Sequence, residues 1–119
     1  MIDSVLDHSL IENVSFDLMV VDGPSSFQST RIVNSSFRNT LLQEANFQRA
    51  SAIGIDFRSA GLSLADFMHA DIRNSSFALA DITDAIFEEA RLDGCDFRHT
   101  QGFDKANFKK SSGTYRRSV

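Results

Sequence analysis

The sequence predicts an all-β coil that turns a corner every five residues around a narrow, dry interior. Three observations predict it. Phenylalanine recurs every ten residues at Phe27, Phe37, Phe47, Phe57, Phe67, Phe77, Phe87 and Phe97. Midway between them stand Ile32, Leu42, Ala52, Leu62, Ile72, Ile82, Leu92 and Gly102, so the underlying period is five. A small residue, Ala, Ser, Thr or Cys, sits two places before nearly every one of these positions. An α-helix would scatter a five-residue repeat around its circumference, because five residues advance about 500°. A flat strand would send alternate members to opposite faces. Only a chain bent at each pentad directs them all inward, the small residue making room for the large one at the same corner.

Taken in order, the chain opens with SVLDH, SLIEN, VSFDL and MVVDG, covering residues 4–23. Val14 and Met19 fill small-residue slots there, which predicts looser packing. Gly23-Pro24 reads as a turn that resets the register by one residue, since proline cannot donate to a ladder. From Ser25 to Asp104 sixteen pentads follow without insertion; the third residue is large and apolar in fourteen, and the first is small in fifteen. Ala52, a small residue in a large slot, is followed three places on by Ile55, a large residue in a small slot. That swap conserves volume within one layer. Gly102 leaves a void where a large side chain belongs, and Phe103 comes one place late. ANFKK, ending at Lys110, then resumes the repeat one residue out of phase. The domain boundaries expected are a repeat body over 1–110, broken at 23–24 and near 102–105, and a mobile basic tail over 111–119.

This pattern resembles the pentapeptide-repeat family, whose consensus is A-(D/N)-L-x-x, often with Phe at the centre. ANFQR, ADFMH, ADIRN and ADITD fit it almost letter for letter, and the match covers residues 4–110. The resemblance implies a right-handed quadrilateral β-helix with four pentads per coil, here about five coils and a partial sixth. Every fourth pentad then shares a side. The first side stacks Phe27, Phe47, Phe67, Phe87 and Phe108 inside. The opposite, third side stacks Phe16, Phe37, Phe57, Phe77 and Phe97. The second and fourth sides carry aliphatic residues.

Charge is distributed unevenly over such a rod. Residues 1–104 hold 16 acidic and seven basic side chains, whereas residues 105–119 hold five basic ones and no acid. The fourth side carries Asp22, Glu44, Asp81, Asp84 and Asp104 without a base, a charge of −5. The first side carries Asp7, Asp66, Glu88 and Glu89 against Arg49, a charge of −3. The remaining sides balance. Asp before the central residue, as in Asp66, Asp71 and Asp81, also suits a turn for purely structural reasons. Glu44, Asp84, Glu88 and Glu89 fall outside that slot and are the better interaction candidates, with Asp22, Asp81 and Asp104 beside them. Arg38, Arg58 and Arg98 form a column on the third side, where Asp56 and Asp96 are placed to neutralise two of them.

Nothing in the sequence points to catalysis or to a cofactor. His8 and His69 lie about 14 Å apart by strand spacing, too far to share a metal. Cys95 fills an inward small slot and reads as packing; as the single cysteine it excludes an intrachain disulfide and suits a reducing compartment. No apolar stretch approaches the roughly 20 residues that span a bilayer, and Met1-Ile2-Asp3 does not begin a signal peptide. The expectation is a cytoplasmic, non-enzymatic scaffold with no small-molecule substrate and no membrane contact. Its faces would bind a protein partner, and open coil ends would allow a homodimer. The resemblance implies an alternative: some members of the family imitate DNA, bind type II topoisomerase (DNA gyrase) and protect it from quinolones or toxins. The acidic edge fits that reading, while the short rod and the tail without an apolar helix depart from it.

Overall fold

The computed structural model of the chain describes residues 5–20 and 24–117. The chain winds into a rod of 35 × 21 × 21 Å. Parallel bridges join each pentad to the one a full turn later: Ser26 to Asn46, Asn46 to Asp66, Ser36 to Asp56, Asp56 to Ser76. The pairing interval of twenty residues, at five residues per side, makes each turn four-sided. Only short stretches pair continuously, as β1 (Leu10–Glu12) with β2 (Arg31–Val33) and β3 (Asp96–Phe97) with β4 (Arg116–Arg117). Elsewhere one residue per side makes the bridge before the chain bends again.

Most corners are four-residue turns closed by a backbone hydrogen bond, such as Ala50 N–H to Phe47 O at 3.1 Å, while Val14 and Ile55 N–H donate instead to Ser35 and Ser75 Oγ of the next turn. The third turn residue is the fifth of the pentad and takes a left-handed conformation, as type II turns require. Among the described residues seventeen other than glycine adopt it, including Glu44, Leu64, Leu79 and Asp84, with φ between 49° and 64°. The second residue of the pentad closes the same turn from outside. Carboxylates of Asp56, Asp66, Asp71, Asp81 and Asp96 each accept from the backbone N–H two residues on. That contact satisfies a donor that the bend would otherwise leave unpaired.

The interior is built as the pentad pattern requires. Phe27, Phe37, Phe47, Phe57, Phe67, Phe77, Phe87 and Phe97 are wholly buried, Phe16 is buried at the first turn, and Phe108 packs against the core at the last. Phe47 and Phe67 stack at 4.8 Å with planes 2° apart. The two aromatic columns also meet: Phe57 lies 5.8 Å from Phe67 at 89°, edge to face across the bore. One continuous aromatic lattice therefore fills the rod, each ring making both stacked and T-shaped contacts. Ala52 and Ile55, the pair that exchanges a small and a large side chain, are both buried in the same layer. The polar small residues bury satisfied hydroxyls: Thr40 Oγ1 donates to Phe16 O at 2.6 Å, and Ser75 Oγ to Ala52 O at 2.8 Å.

The register breaks have distinct origins. Bridges at the N-terminal end run at an interval of 21, as in Ser15 to Ser36 and Val20 to Leu41, then at 20 from Ser26 to Asp81, and at 21 again for Ile86 to Asn107 and Arg91 to Ser112. The extra residue thus enters between Val20 and Ser26. At the other end Gly102 is not a void. Its φ is 73°, and a Cβ there would stand 2.6 Å from Thr83 Cα, so the backbones touch where a side chain was expected. A 3-10 turn over Phe103–Lys105 follows and absorbs the added residue.

Residues 111–117 continue the winding where the loss of periodicity suggested a mobile tail. Ser112 bridges Arg91, and Arg116–Arg117 pairs with Asp96–Phe97. Tyr115 packs edge-on to Phe97 at 5.4 Å and stacks on Phe108 at 5.7 Å. The Arg117 guanidinium lies 5.5 Å from the Phe103 ring centre. Backbone pairing and an aromatic cap replace the pentad rule here, which is why no period of five marks the segment.

Candidate functional site

The second and third sides neutralise themselves. Arg58 holds Asp56 at 2.8 Å, Arg98 holds Asp96 at 2.9 Å, and Arg73 holds Asp71 at 2.8 Å, with Arg91 at 3.5 Å from Asp71. Partial burial opposes ionisation of Asp56 and Asp71. The side-chain hydrogen bonds, backbone hydrogen bonds and positive charge of Arg58 and Arg73 outweigh it and hold both carboxyls below the ordinary aspartate range. Asp96 is lowered first by the Arg98 hydrogen bond, against some burial, with Arg116 adding its charge from the next turn. These carboxylates also close their turns, so charge and backbone are satisfied together. A shallow groove beside Arg58, Ala78 and Arg98 opens where alanine interrupts the arginine column, with both arginines already held by aspartates.

The first side is partly neutralised. Glu89 takes His69 Nδ1 at 2.9 Å. The Ile86–Asn107 bridge sets Lys109 and Lys110 one turn beyond Glu88 and Glu89. Counting those lysines brings the side from −3 to −1, so its acidity largely disappears once the last turn is included. Glu88 is half-buried and Glu89 exposed.

The fourth side differs. Glu44 and Asp84 are exposed at corners, φ 62° and 58°, and neither has an ion pair among the described residues. Asp81 is half-buried and accepts from the N–H and hydroxyl of Thr83. Asp104 is exposed in the 3-10 turn with Lys105 next to it, so the bare stretch runs from Glu44 to Asp84. Asp22 lies outside the described residues. Between the carboxylates sits an apolar strip that charge counting does not reveal. Leu41 is 47% exposed and Leu64 52%. Leu41 leans over Gly61, where an added Cβ would meet its Cδ2 at 3.0 Å. Val20, one turn earlier, and Leu18 and Leu79 on the bordering corner are exposed as well. The sequence carries part of this signal, since Leu41 in a second slot and Leu64 in a fifth slot face outward on the same side.

Among the described residues no group of His, Cys, Asp and Glu could hold a metal ion. Cys95 is buried and donates to Ile72 O, and burial pushes its thiol up to about 12, far from a reactive thiolate. No described helix is long and apolar enough to cross a membrane. What the fourth side offers is a surface, apolar in the middle and anionic at its margins.

The profile for pentapeptide repeats matches residues 25–58 and 60–98 in eight copies. Among solved structures, a pentapeptide-repeat protein from the cyanobacterium Cyanothece 51142 superposes with a TM-score of 0.74 at 12% identity, covering 98% of this chain and 90% of that one. A pentapeptide-repeat protein of the Arabidopsis thaliana thylakoid lumen gives 0.59 at 27% identity, covering 83% of this chain and 61% of that one. The plasmid-mediated fluoroquinolone resistance protein QnrB1 gives 0.40 at 16% identity over 95% of this chain and 90% of that one, too low a score to carry an argument. No curated relative matches the sequence. The shared architecture of the first two is a right-handed quadrilateral β-helix.

Proposed function

The chain belongs to the pentapeptide-repeat family, and from that premise we propose that it is a non-catalytic, rigid scaffold whose fourth side binds another protein. One observation carries the reading. On the second and third sides arginines equal the carboxylates in number and pair with Asp56, Asp71 and Asp96, whereas Glu44, Asp81 and Asp84 share their side with no arginine and have no ion pair among the described residues. A run of unpaired like charge raises the energy of the free rod slightly and is relieved by a basic partner. The aromatic lattice keeps that run in fixed register, so little ordering entropy is lost on binding.

The test is photo-crosslinking from a reactive group placed at exposed Gln43, with the captured protein identified by mass spectrometry. The E44K/D84K double variant should lose the captured partner, while R58E/R98E on the third side should retain it. Equal capture by both variants would end this reading.

A second reading rests on the same carboxylates: a DNA-mimicking binder of type II topoisomerase that confers quinolone or toxin protection. It predicts that micromolar protein inhibits supercoiling by purified DNA gyrase, or shields the enzyme from the drug. Unchanged supercoiling and drug sensitivity would eliminate it.

A further inference from the structure

Corner residues sort by side in a way that backbone chemistry does not explain. The corner after the second side carries Asn13, Asn34, Gly54, Asn74 and Gly94, every one a residue that tolerates the left-handed region well. The two corners bordering the fourth side, which also hold Asn39, Ser59, His99, Glu44 and Asp84, carry Leu18, Leu64 and Leu79 at φ 62° to 64°. Leucine is poorly suited to that backbone region, and all three side chains lie exposed. Each is disfavoured twice, by backbone and by solvent. Together with Val20 and Leu41 they make five of the nine large apolar side chains exposed among the described residues, gathered on or beside one side of four.

The arrangement around Leu64 has a definite spacing. Glu44 N–H bonds to Ser63 O and Leu64 N–H to Thr83 O, which sets Glu44, Leu64 and Asp84 at equivalent corners of three successive turns. Neighbouring turns lie about 4.8 Å apart, so the two carboxylates flank the leucine with roughly 9–10 Å between them. On an α-helix, residues i and i+7 share a face and are about 10.5 Å apart.

Resting on the scaffold reading above, we propose that the fourth side is a docking site for a basic amphipathic helix of a partner protein, laid along the rod axis. Basic residues at i and i+7 meet Glu44 and Asp84, and apolar residues at i+3 and i+4 sit on Leu64 and Leu41 over the flat backbone at Gly61. Charge complementarity selects a basic partner, and the apolar centre distinguishes such a helix from a ligand that reads charge alone.

The experiment uses the full chain and a fluorescent synthetic helix with Lys at i and i+7 and Leu at i+3 and i+4, titrated by anisotropy. The key variant is Leu64→Asn, which gives the corner a residue suited to its backbone. It should keep or raise the thermal midpoint and weaken peptide binding about tenfold or more. E44K/D84K should weaken binding at least as much, and R58E/R98E should leave it unchanged. Replacing both leucines of the peptide by serine should abolish binding. Binding that survives Leu64→Asn, or a serine peptide that binds equally well, would overturn the helix and leave a purely electrostatic surface. No peptide binding, with crosslinked capture still lost in E44K/D84K, would overturn the helix while the scaffold reading stands. Gyrase inhibition that disappears in E44K/D84K and persists in Leu64→Asn would assign the side to a nucleic-acid mimic instead.

Discussion

The third and fourth sides of this rod are built by one rule and finished differently. Both repeat the same pentad, share corners and rest on the same interior. The third side is aromatic inside and outside carries carboxylates paired with arginine: Asp56 with Arg58, Asp96 with Arg98. The fourth side is aliphatic inside, with Leu42, Leu62 and Ile82, and outside leaves Glu44 and Asp84 unpaired beside exposed leucines. A single repeat can therefore separate structural charge from charge left available to a partner. An aspartate in the second slot that also has an arginine two places on is part of the wall. The fifth-slot carboxylates of the fourth side, Glu44 and Asp84, are free of the wall.

The contrast can be broken from the inside first. Phe57→Ala removes a ring from the third-side column and should cost about 3–5 kcal/mol, read by urea denaturation. Leu62→Ala on the fourth side should cost about 2–5 kcal/mol, at the lower end if the aromatic lattice carries the rod. A larger loss for Leu62→Ala would assign that role to the aliphatic columns. Next in size is Gly102→Ala at the end of the fourth side, expected to cost about 1–3 kcal/mol, because the new Cβ meets Thr83 Cα at 2.6 Å and a φ of 73° strains alanine. A neutral result in thermal melts would show that the 3-10 turn can slip to another register.

Smaller effects sharpen the outer comparison. Asp56→Ala deletes a turn closure and an ion pair and should cost about 0.5–1.5 kcal/mol. Asp84→Ala should fall within about 0.5 kcal/mol of the parent, as for a surface group without partners. Equal losses would mean that the fourth-side carboxylates also support the fold. The weakest expected signal is in pH. Asp56, Asp71 and Asp96 have folded values below their unfolded ones, so their contribution is complete above the unfolded value, near 3.9. It is lost as pH falls through the folded values. Stability measured from pH 5 down to pH 2 should fall less steeply in the triple Asp→Asn variant than in the parent protein.

Much of this was legible in one dimension. The spacing of Phe27 to Phe97 named the interior residues, because a fixed period and a narrow bore leave each slot one place to go. The same spacing predicts a register break at Gly23-Pro24, where Gly23 lies outside the described residues, and the bridge interval changes between Val20 and Ser26. Other features were not legible. Cys95, Thr40 and Ser75 read as small residues, and their hydrogen bonds to carbonyls of the preceding turn depend on stacking. Glu88 and Glu89 read as the strongest candidates on the first side, until Lys109 and Lys110 arrived one turn away in register. Residues 111–117 read as a tail because their order comes from pairing with Asp96–Phe97 and from Tyr115 on the aromatic cap, neither of which leaves a period in the chain.

By itself the sequence determined the winding, the occupants of the bore and the slots facing outward, since a repeat of five can bury its apolar members in only one way. Which outward groups meet was decided by the tertiary structure. Neighbours on a side are twenty or twenty-one residues apart in the chain, and a one-residue shift at either break changes which charges face one another. That is why the charge of each side could be counted from the pentads, while neutralisation of the first side by Lys109 and Lys110 appears only after the turns are stacked.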